Sequence, residues 1–336
     1  MLKKYFVWFL PVAGTLLSAA PLYSQSASLI AAGKKESKAV VYGSLESDSA
    51  DSAFNAFKKK TGIEVDYWRA SATKVLDRAL SEYRAGKPGF DIILTGDNPM
   101  QIMFKEGIFA KYESPAAKDF AQDSIDPNLG PRYRNVVIGV VYNKDIIKPA
   151  DTPKSLEDLV KPQYRGKLVM PDPTQHTTTT QWVASLEKLM GKEKAEKFIR
   201  ELAAQKPVLV ESFLPAAERV VTGETPIAIT YVKYVYIYGQ RGAPLDYVRL
   251  GKFMGDGHYL TLGNKAPHPN AGKALIDYFL GPENMALIAK QGEFVNRKGL
   301  YPPLPDADKI QSVEMFDLDS KKFAEKKKEY QQIFLR

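Results

Sequence analysis

Apolar residues along the chain follow two rhythms: short unbroken runs that stop at glycine or a polar cluster, and longer stretches in which every third or fourth position is apolar. Ala39–Tyr42, closed by Gly43, predicts a buried strand, and Ala50, Ala53, Phe54 and Phe57 then repeat at helical spacing as far as Gly62. Ile63–Trp68 reads as a second strand from its β-branched and aromatic content. Ala72, Val75, Leu76, Ala79, Leu80 and Tyr83 form a second helical stripe ending at Gly86, and Asp91–Leu94 is a third strand. Successive strand–helix steps predict an α/β fold with a mainly parallel sheet flanked by helices. The middle of the chain repeats the theme, with strands at Val136–Tyr142, Lys167–Met170, Val208–Val210 and Ile227–Thr230. Between them come helices over Thr177–Met190, around Ala195, Phe198, Ile199 and Leu202, and around Glu218. Two more helices, Ala271–Leu280 with Asn270 as N-cap and Pro282–Gln291, precede a lysine-rich helical tail.

The N-terminus has a different pattern. Lys3 and Lys4 precede an apolar run from Tyr5 to about Ala20 and a small-residue stretch at Ser24-Gln25-Ser26, the layout of a signal peptide over residues 1–26. Pro11 and Gly14 interrupt a run that is too short to span a bilayer, so cleavage and export are expected. What remains of the 336 residues exceeds one compact core, and two lobes are expected. Lobe 1 takes residues 27–134 with a return segment at about 262–310; lobe 2 takes 135–261 with C-terminal helices at about 311–336. Crossing strands near Arg132–Val136 and Tyr259–Asn264 join them, with a ligand cleft between. The absence of cysteine excludes a disulfide framework and thiolate metal sites. A net charge of +8, from 47 basic and 39 acidic residues, admits nucleic acid, an anionic membrane surface or anionic solutes. The basic residues are interspersed with acids, and the densest cluster, Lys321, Lys322 and Lys326–Lys328, reads as a solvated helix face, so no nucleic-acid partner is expected.

Enzyme signatures are missing: there is no Gly-x-Ser-x-Gly elbow, phosphate loop, dinucleotide fingerprint or His-Glu-x-x-His, and only three histidines. A dispersed Ser-His-Asp triad stays formally open, which makes an exported hydrolase one rival reading; no catalytic residue is assigned. Polar loops follow the strands, where open α/β sheets bind ligands. Ser44 and Glu46 follow the first strand, Arg69 and Ser71 the second, Thr95 and Asp97 the third. Ser47 and Ser71 suit helix caps, and the N–H groups of those first turns suit an anion. Arg69 beside a helix start suits bidentate carboxylate or phosphate recognition, or an ordinary surface salt bridge. Five threonines within 174–180 favour a loop and a first turn, which makes His176, Thr177 and Thr178 candidates for ligand contact or capping. The tyrosine-dense run after the last strand admits a phenolate metal site, an aromatic wall or helix packing; Tyr231, Lys233 and Tyr234 lie nearest the strand end.

Together, Val-Tyr-Gly at 41–43, Lys-Lys-Thr-Gly-Ile-Glu-Val at 59–65, Arg-Ala-Ser at 69–71, Phe-Asp-Ile-Ile at 90–93 and Val-Tyr-Asn at 141–143 form an ordered set of matches. Pro-Lys-Ser-Leu-Glu-Asp-Leu at 153–159, Tyr-Arg-Gly-Lys-Leu at 164–168, Arg-Gly-Ala-Pro at 241–244 and Ala-Pro-His-Pro-Asn-Ala at 266–271 continue it over nearly the whole mature chain. In these the sequence resembles the extracellular solute-binding proteins of ATP-binding-cassette importers, in the branch around the ferric-iron-binding periplasmic proteins. The resemblance implies a type II periplasmic-binding fold that closes on ligand without catalysis. It also implies a periplasmic monomer, delivery to an inner-membrane permease and no cofactor. A sensor partner of a membrane receptor shares the same fold and is a rival reading. Iron-binding relatives place an adjacent tyrosine pair where this chain has Val232 and Lys233, and Glu46 and Gly96 stand near their histidine and acid. A lysine there repels Fe³⁺ and attracts a carboxylate or phosphate, so a small organic or phosphorylated anion is the expected cargo. Fe³⁺ held by Tyr231, Tyr234 and Glu46 is the alternative.

Overall fold

The computed structural model describes residues 20–297 and 299–335. Residues 1–19 of the expected signal segment lie outside the described residues; α1 (Ala20–Glu36) takes in the rest. In the first lobe β1 (Lys38–Gly43), α2 (Ser47–Thr61), β2 (Glu64–Arg69), α3 (Ala72–Arg84), β3 (Ile92–Gly96) and α4 (Asp97–Lys105) alternate. A small ribbon, β4 (Ile125–Asp126) with β5 (Gly130–Pro131), leads into the long β6 (Arg134–Asn143). The second lobe follows with β7 (Leu168–Pro171), α5 (Thr177–Ser185), α6 (Glu187–Met190), α7 (Lys192–Ala204), β8 (Val208–Val210), α8 (Phe213–Val221), β9 (Ile227–Tyr231), α9 (Tyr234–Gly239) and β10 (Leu245–Tyr247). The chain returns through β11 (Phe253–Leu262) to α10 (Pro269–Phe279) and α11 (Pro282–Lys290), then ends with β12 (Ser312–Glu314) and α12 (Ser320–Phe334).

One sheet runs through both lobes in the order β2-β1-β3-β11-β6-β9-β7-β8, with β10 beside β6 and β12 beside β11. The triplets β2-β1-β3 and β9-β7-β8 are each parallel, as their helical crossovers require. Between them β11 pairs antiparallel with β3 and with β6, opposing His258 to Gly96 on one side and to Arg134 on the other. Ten residues at about 3.3 Å each let β6 and β11 extend through both lobes.

Helices cover both faces of each half. In the first lobe Phe54, Phe57, Leu275, Phe279 and Ile288 pack below Val41 and Leu94, while Val75, Leu76, Met100 and Met103 pack above Ile93. In the second, Trp182, Phe198, Leu202 and Tyr330 cover Val140, Met170 and Ile229, with Ala216, Val220 and Tyr247 on the opposite face. Leu304 and Ala307 join this last cluster beside Val137 and Phe253, so the return segment is shared between the two cores. On α12, Phe323 and Tyr330 turn inward while Lys321, Lys322 and Lys328 face solvent.

Two local expectations change. The helix expected over Thr177–Met190 breaks at Leu186, because the Ser185 hydroxyl donates to the Gln181 carbonyl and accepts the Phe316 N–H, which bends the turn. Asn270 is not an N-cap, because α10 begins at Pro269, two residues before the expected start. Its backbone N–H and that of Ala271 are instead taken by the Glu36 carboxylate at 2.9 and 2.8 Å. Helix α1 reaches that position because Gly33 lies against Ala271, where a Cβ would stand 3.0 Å from the Ala271 Cα. Glu36→Ala, which removes a cap by proxy, is expected to cost about 1 kcal/mol; an unchanged urea midpoint would assign α10's start to other contacts.

Candidate ligand cleft and its buried charge network

Six loops meet where the two lobes face each other. The ends of β1, β2 and β3 and the turns into the helices that follow carry Ser44 and Glu46, Arg69 and Ser71, and Thr95 and Asp97. From the second lobe come His176 ahead of α5, Ser212 ahead of α8, and Tyr231, Lys233 and Tyr234 after β9. The crossing strand β11 adds Asp256 and His258 on its cleft-facing side, since alternate residues of a strand share a face. All of these but Thr95, Asp97 and Lys233 line a cavity of about 30 Å³, enough for a water, which needs roughly 10–15 Å³, and too small for an organic solute. The lobes are therefore closed on each other. A larger void of about 670 Å³ lies beside Asn135, Val137 and Ser312, but none of the six loops reaches it.

From the cavity wall inward runs a quartet of charges, of which Glu46 keeps a small exposure and the other three have almost none. Lys233 Nζ donates to Glu46 Oε2 at 2.5 Å and to Glu293 Oε1 at 2.8 Å, and its side chain is 1% exposed. Arg134 Nη1 pairs with the other Glu293 oxygen and stands 3.7 Å from Glu46 Oε2. Two cations and two anions leave the quartet neutral. Tyr234 donates its hydroxyl to Glu46 Oε1 at 2.9 Å. On the other side Arg134 Nη2 meets His258 Nδ1 at 3.1 Å, and His258 Nε2 meets Asp256 Oδ2 at 3.1 Å. Asp256 also accepts from Tyr231 at 3.4 Å and from the Asp97 N–H at 3.4 Å. Gly96 permits that approach, because a Cβ there would stand 2.7 Å from the Asp256 carboxylate.

The protonation states follow from burial and neighbours. Burial pushes the Glu46 carboxyl up, but Lys233 and Arg134 outweigh it and hold the group well below the usual carboxylate range. Burial lowers His176 to about 4, and burial together with the Arg134 charge lowers His258, so both imidazoles are neutral at pH 7. Burial first, then Asp256 and Glu46 nearby, keeps Tyr231 and Tyr234 protonated. Burial and the Asp256 charge raise Asp97 to about 7.

Seven of the expected site residues line the cavity: Ser44, Glu46, Arg69, Ser71, His176, Tyr231 and Tyr234. Among the described residues the Arg69 guanidinium takes part in no ion pair or hydrogen bond, and the Ser71 hydroxyl beside it has no partner. Ser71 holds the N-cap position of α3 without a side-chain cap bond. Thr95 stands behind Ser44, the two hydroxyls 2.9 Å apart. Asp97 lies off the cavity in a neighbouring niche with Arg132, Gln181 and Tyr259. Thr177 and Thr178 are fully buried off the cavity wall, and the α5 cap belongs to His176, whose Nδ1 accepts the Thr179 N–H. Lys233, expected as a free attractor of anions, is fully committed to the two glutamates. Asp256, His258, Arg134 and Glu293 were not among the expected site residues. Their signal is a charged or imidazole side chain within an otherwise apolar strand, legible at Arg134 and in Asp256-Gly257-His258 but absent at Glu293. No group of three or more His, Cys, Asp or Glu able to hold a metal ion occurs among the described residues.

The family model described as bacterial extracellular solute-binding protein matches residues 40–292. The spermidine/putrescine-binding periplasmic protein of Escherichia coli is 24% identical over 77% of this chain and 80% of its own. The periplasmic binding protein AfuA of Actinobacillus pleuropneumoniae, solved with fructose-6-phosphate bound, superposes with a TM-score of 0.79 at 18% identity, covering 89% of this chain and 98% of its own. Iron-bound HitA of Pseudomonas aeruginosa has a TM-score of 0.71 at 21% identity, with the same coverage. The three are a polyamine-binding, a sugar-phosphate-bound and an iron-bound protein.

Asp97 gives a signed pH dependence. Its carboxyl is higher in the folded state, at about 7, than in an unfolded chain, at about 3.9, so the folded state holds the extra proton between those values. Stability contributed by this group therefore falls as pH rises from about 4 to 7, by at most about 1.4 kcal/mol per pH unit, and levels off above. Asp97→Asn is expected to remove that slope, so that the variant gains on the native protein in thermal midpoint from pH 4 to pH 7. A constant difference across the range would show that Asp97 does not titrate there.

Proposed function

The chain belongs to the bacterial extracellular solute-binding proteins, and on that premise we propose that it captures a small organic or phosphorylated anion between its lobes for an ATP-binding-cassette importer. Arg69 carries this reading. It is a cavity-lining guanidinium without a partner, next to the unpartnered Ser71 hydroxyl and the first turn of α3, whose N–H groups have no intrahelical acceptors. The other cations near the cavity are neutralised within the quartet. A phosphate or carboxylate on Arg69 and Ser71 leaves the remainder of the solute facing Tyr231, His176 and Asp256. Tyr231 stacks on Phe213 with ring centroids 4.3 Å apart and offers an aromatic wall, while Asp256 offers an acceptor for hydroxyl or amine groups. AfuA's bound fructose-6-phosphate is a solute of this class.

In this reading the lobes open about β6 and β11 to admit the solute. They close again because its contacts to Arg69 on one lobe and to His176 and Tyr231 on the other are made together only in the closed state. The cleft performs no chemistry on its cargo. The protein works as a monomer in the periplasm, without a resident cofactor, and presents the closed form to an inner-membrane permease. Iron cargo is not favoured, since the Lys233 ammonium stands among Glu46, Tyr231 and Tyr234.

A thermal-shift and calorimetric screen of sugar phosphates, phosphonates, carboxylates, spermidine and ferric citrate tests the reading. Anions should stabilise the protein, and Arg69→Ala should weaken the best of them about 10- to 100-fold, the worth of a charge-assisted hydrogen-bond pair. Stabilisation by spermidine alone, undiminished in Arg69→Ala, would contradict it.

A further inference from the structure

We infer that Lys233 is a tethered cation filling an oxygen-lined cation site, and that this one side chain sets the sign of the charge the cleft accepts. Two carboxylates and two phenol rings from three distant segments surround its ammonium: Glu46 after β1, Glu293 after α11, and Tyr231 and Tyr234 around the end of β9, whose hydroxyls lie on Asp256 and Glu46. The two carboxylates stand 2.5 and 2.8 Å from Nζ, and the ammonium lies 5.6 and 5.7 Å from the Tyr231 and Tyr234 ring centroids. Carboxylates and phenols are the donors that hard multivalent cations take. The same donors also suit a buried ammonium, whose burial needs paired carboxylates and aromatic faces.

Charge makes the arrangement selective. With Lys233 the quartet is neutral and its oxygens point at a fixed positive charge, so an incoming cation meets repulsion from Lys233 and Arg134 together. Without Lys233 the remaining Arg134, Glu46 and Glu293 carry a net negative charge, increased by Asp256 beyond His258. The cleft would then be acidic at its floor and would favour cations. The side chain cannot easily swing away, because residue 233 adopts helical backbone angles as the N-cap of α9 and is enclosed on all sides.

This inference rests on the anion reading above, and its test separates the two. The probes are Tb³⁺, read by thermal shift, and Fe³⁺ supplied as citrate, read by the visible absorption of an iron–phenolate bond. The native protein should respond to neither. Lys233→Met should gain at least 5 °C from Tb³⁺ and acquire the Fe³⁺ band, and adding Tyr234→Phe should weaken that band. Lys233→Gln, which removes the same charge but keeps an amide donor for the two glutamates, is read in its place if Lys233→Met does not fold. A native protein that takes up Fe³⁺ with a phenolate band would overturn this inference and the anion reading together. Native binding of a sugar phosphate, with folded variants indifferent to both ions, would overturn this inference alone.

Discussion

Burying four charges is expensive unless each is paired, and Glu46, Lys233, Arg134 and Glu293 meet that condition only when four separate stretches of chain arrive together. Glu46 comes from the loop after β1, Arg134 from the start of β6, Lys233 from the turn into α9 and Glu293 from the segment after α11. Their pairing requirement constrains where the two lobes can sit relative to the crossing strands. The hydrogen bonds from Arg134 through His258 to Asp256 carry the same constraint to the start of α4, and Asp97's perturbed carboxyl is one of its consequences.

The quartet also decides what the cleft offers a solute. Because Lys233 and Arg134 are spent on Glu46 and Glu293, the proposed capture of an anion rests on Arg69, which lines the cavity beside the start of α3. Closure also brings α5 against α3 and α4, where Thr177, Thr178 and Asn98 are fully buried.

Much of the fold was legible in the sequence because its elements are locally encoded: apolar runs stopped by Gly43 or Gly62 and a helical stripe such as Val75, Leu76 and Ala79 need no distant partner to be recognised. The strand-end loops were legible for the same reason, and they brought Ser44, Arg69, Ser71, His176 and Tyr231 to one cavity. Failures came where a residue's meaning depends on a distant one. Lys233 reads as a free cation until Glu46, 187 positions away, takes its ammonium. Asn270 reads as a cap until Glu36, 234 positions away, takes its N–H. The break at Leu186 depends on Phe316 meeting Ser185. Glu293, in a turn with no periodic pattern, carries no local mark of its burial.

Capture by closure is the claim on which the rest converges, and small-angle X-ray scattering tests it most directly. The solute-free protein is expected to have a larger radius of gyration than the closed structure, and saturating sugar phosphate should shrink it to the closed value. A curve that matches the closed form without solute and stays unchanged at saturating ligand would contradict the account.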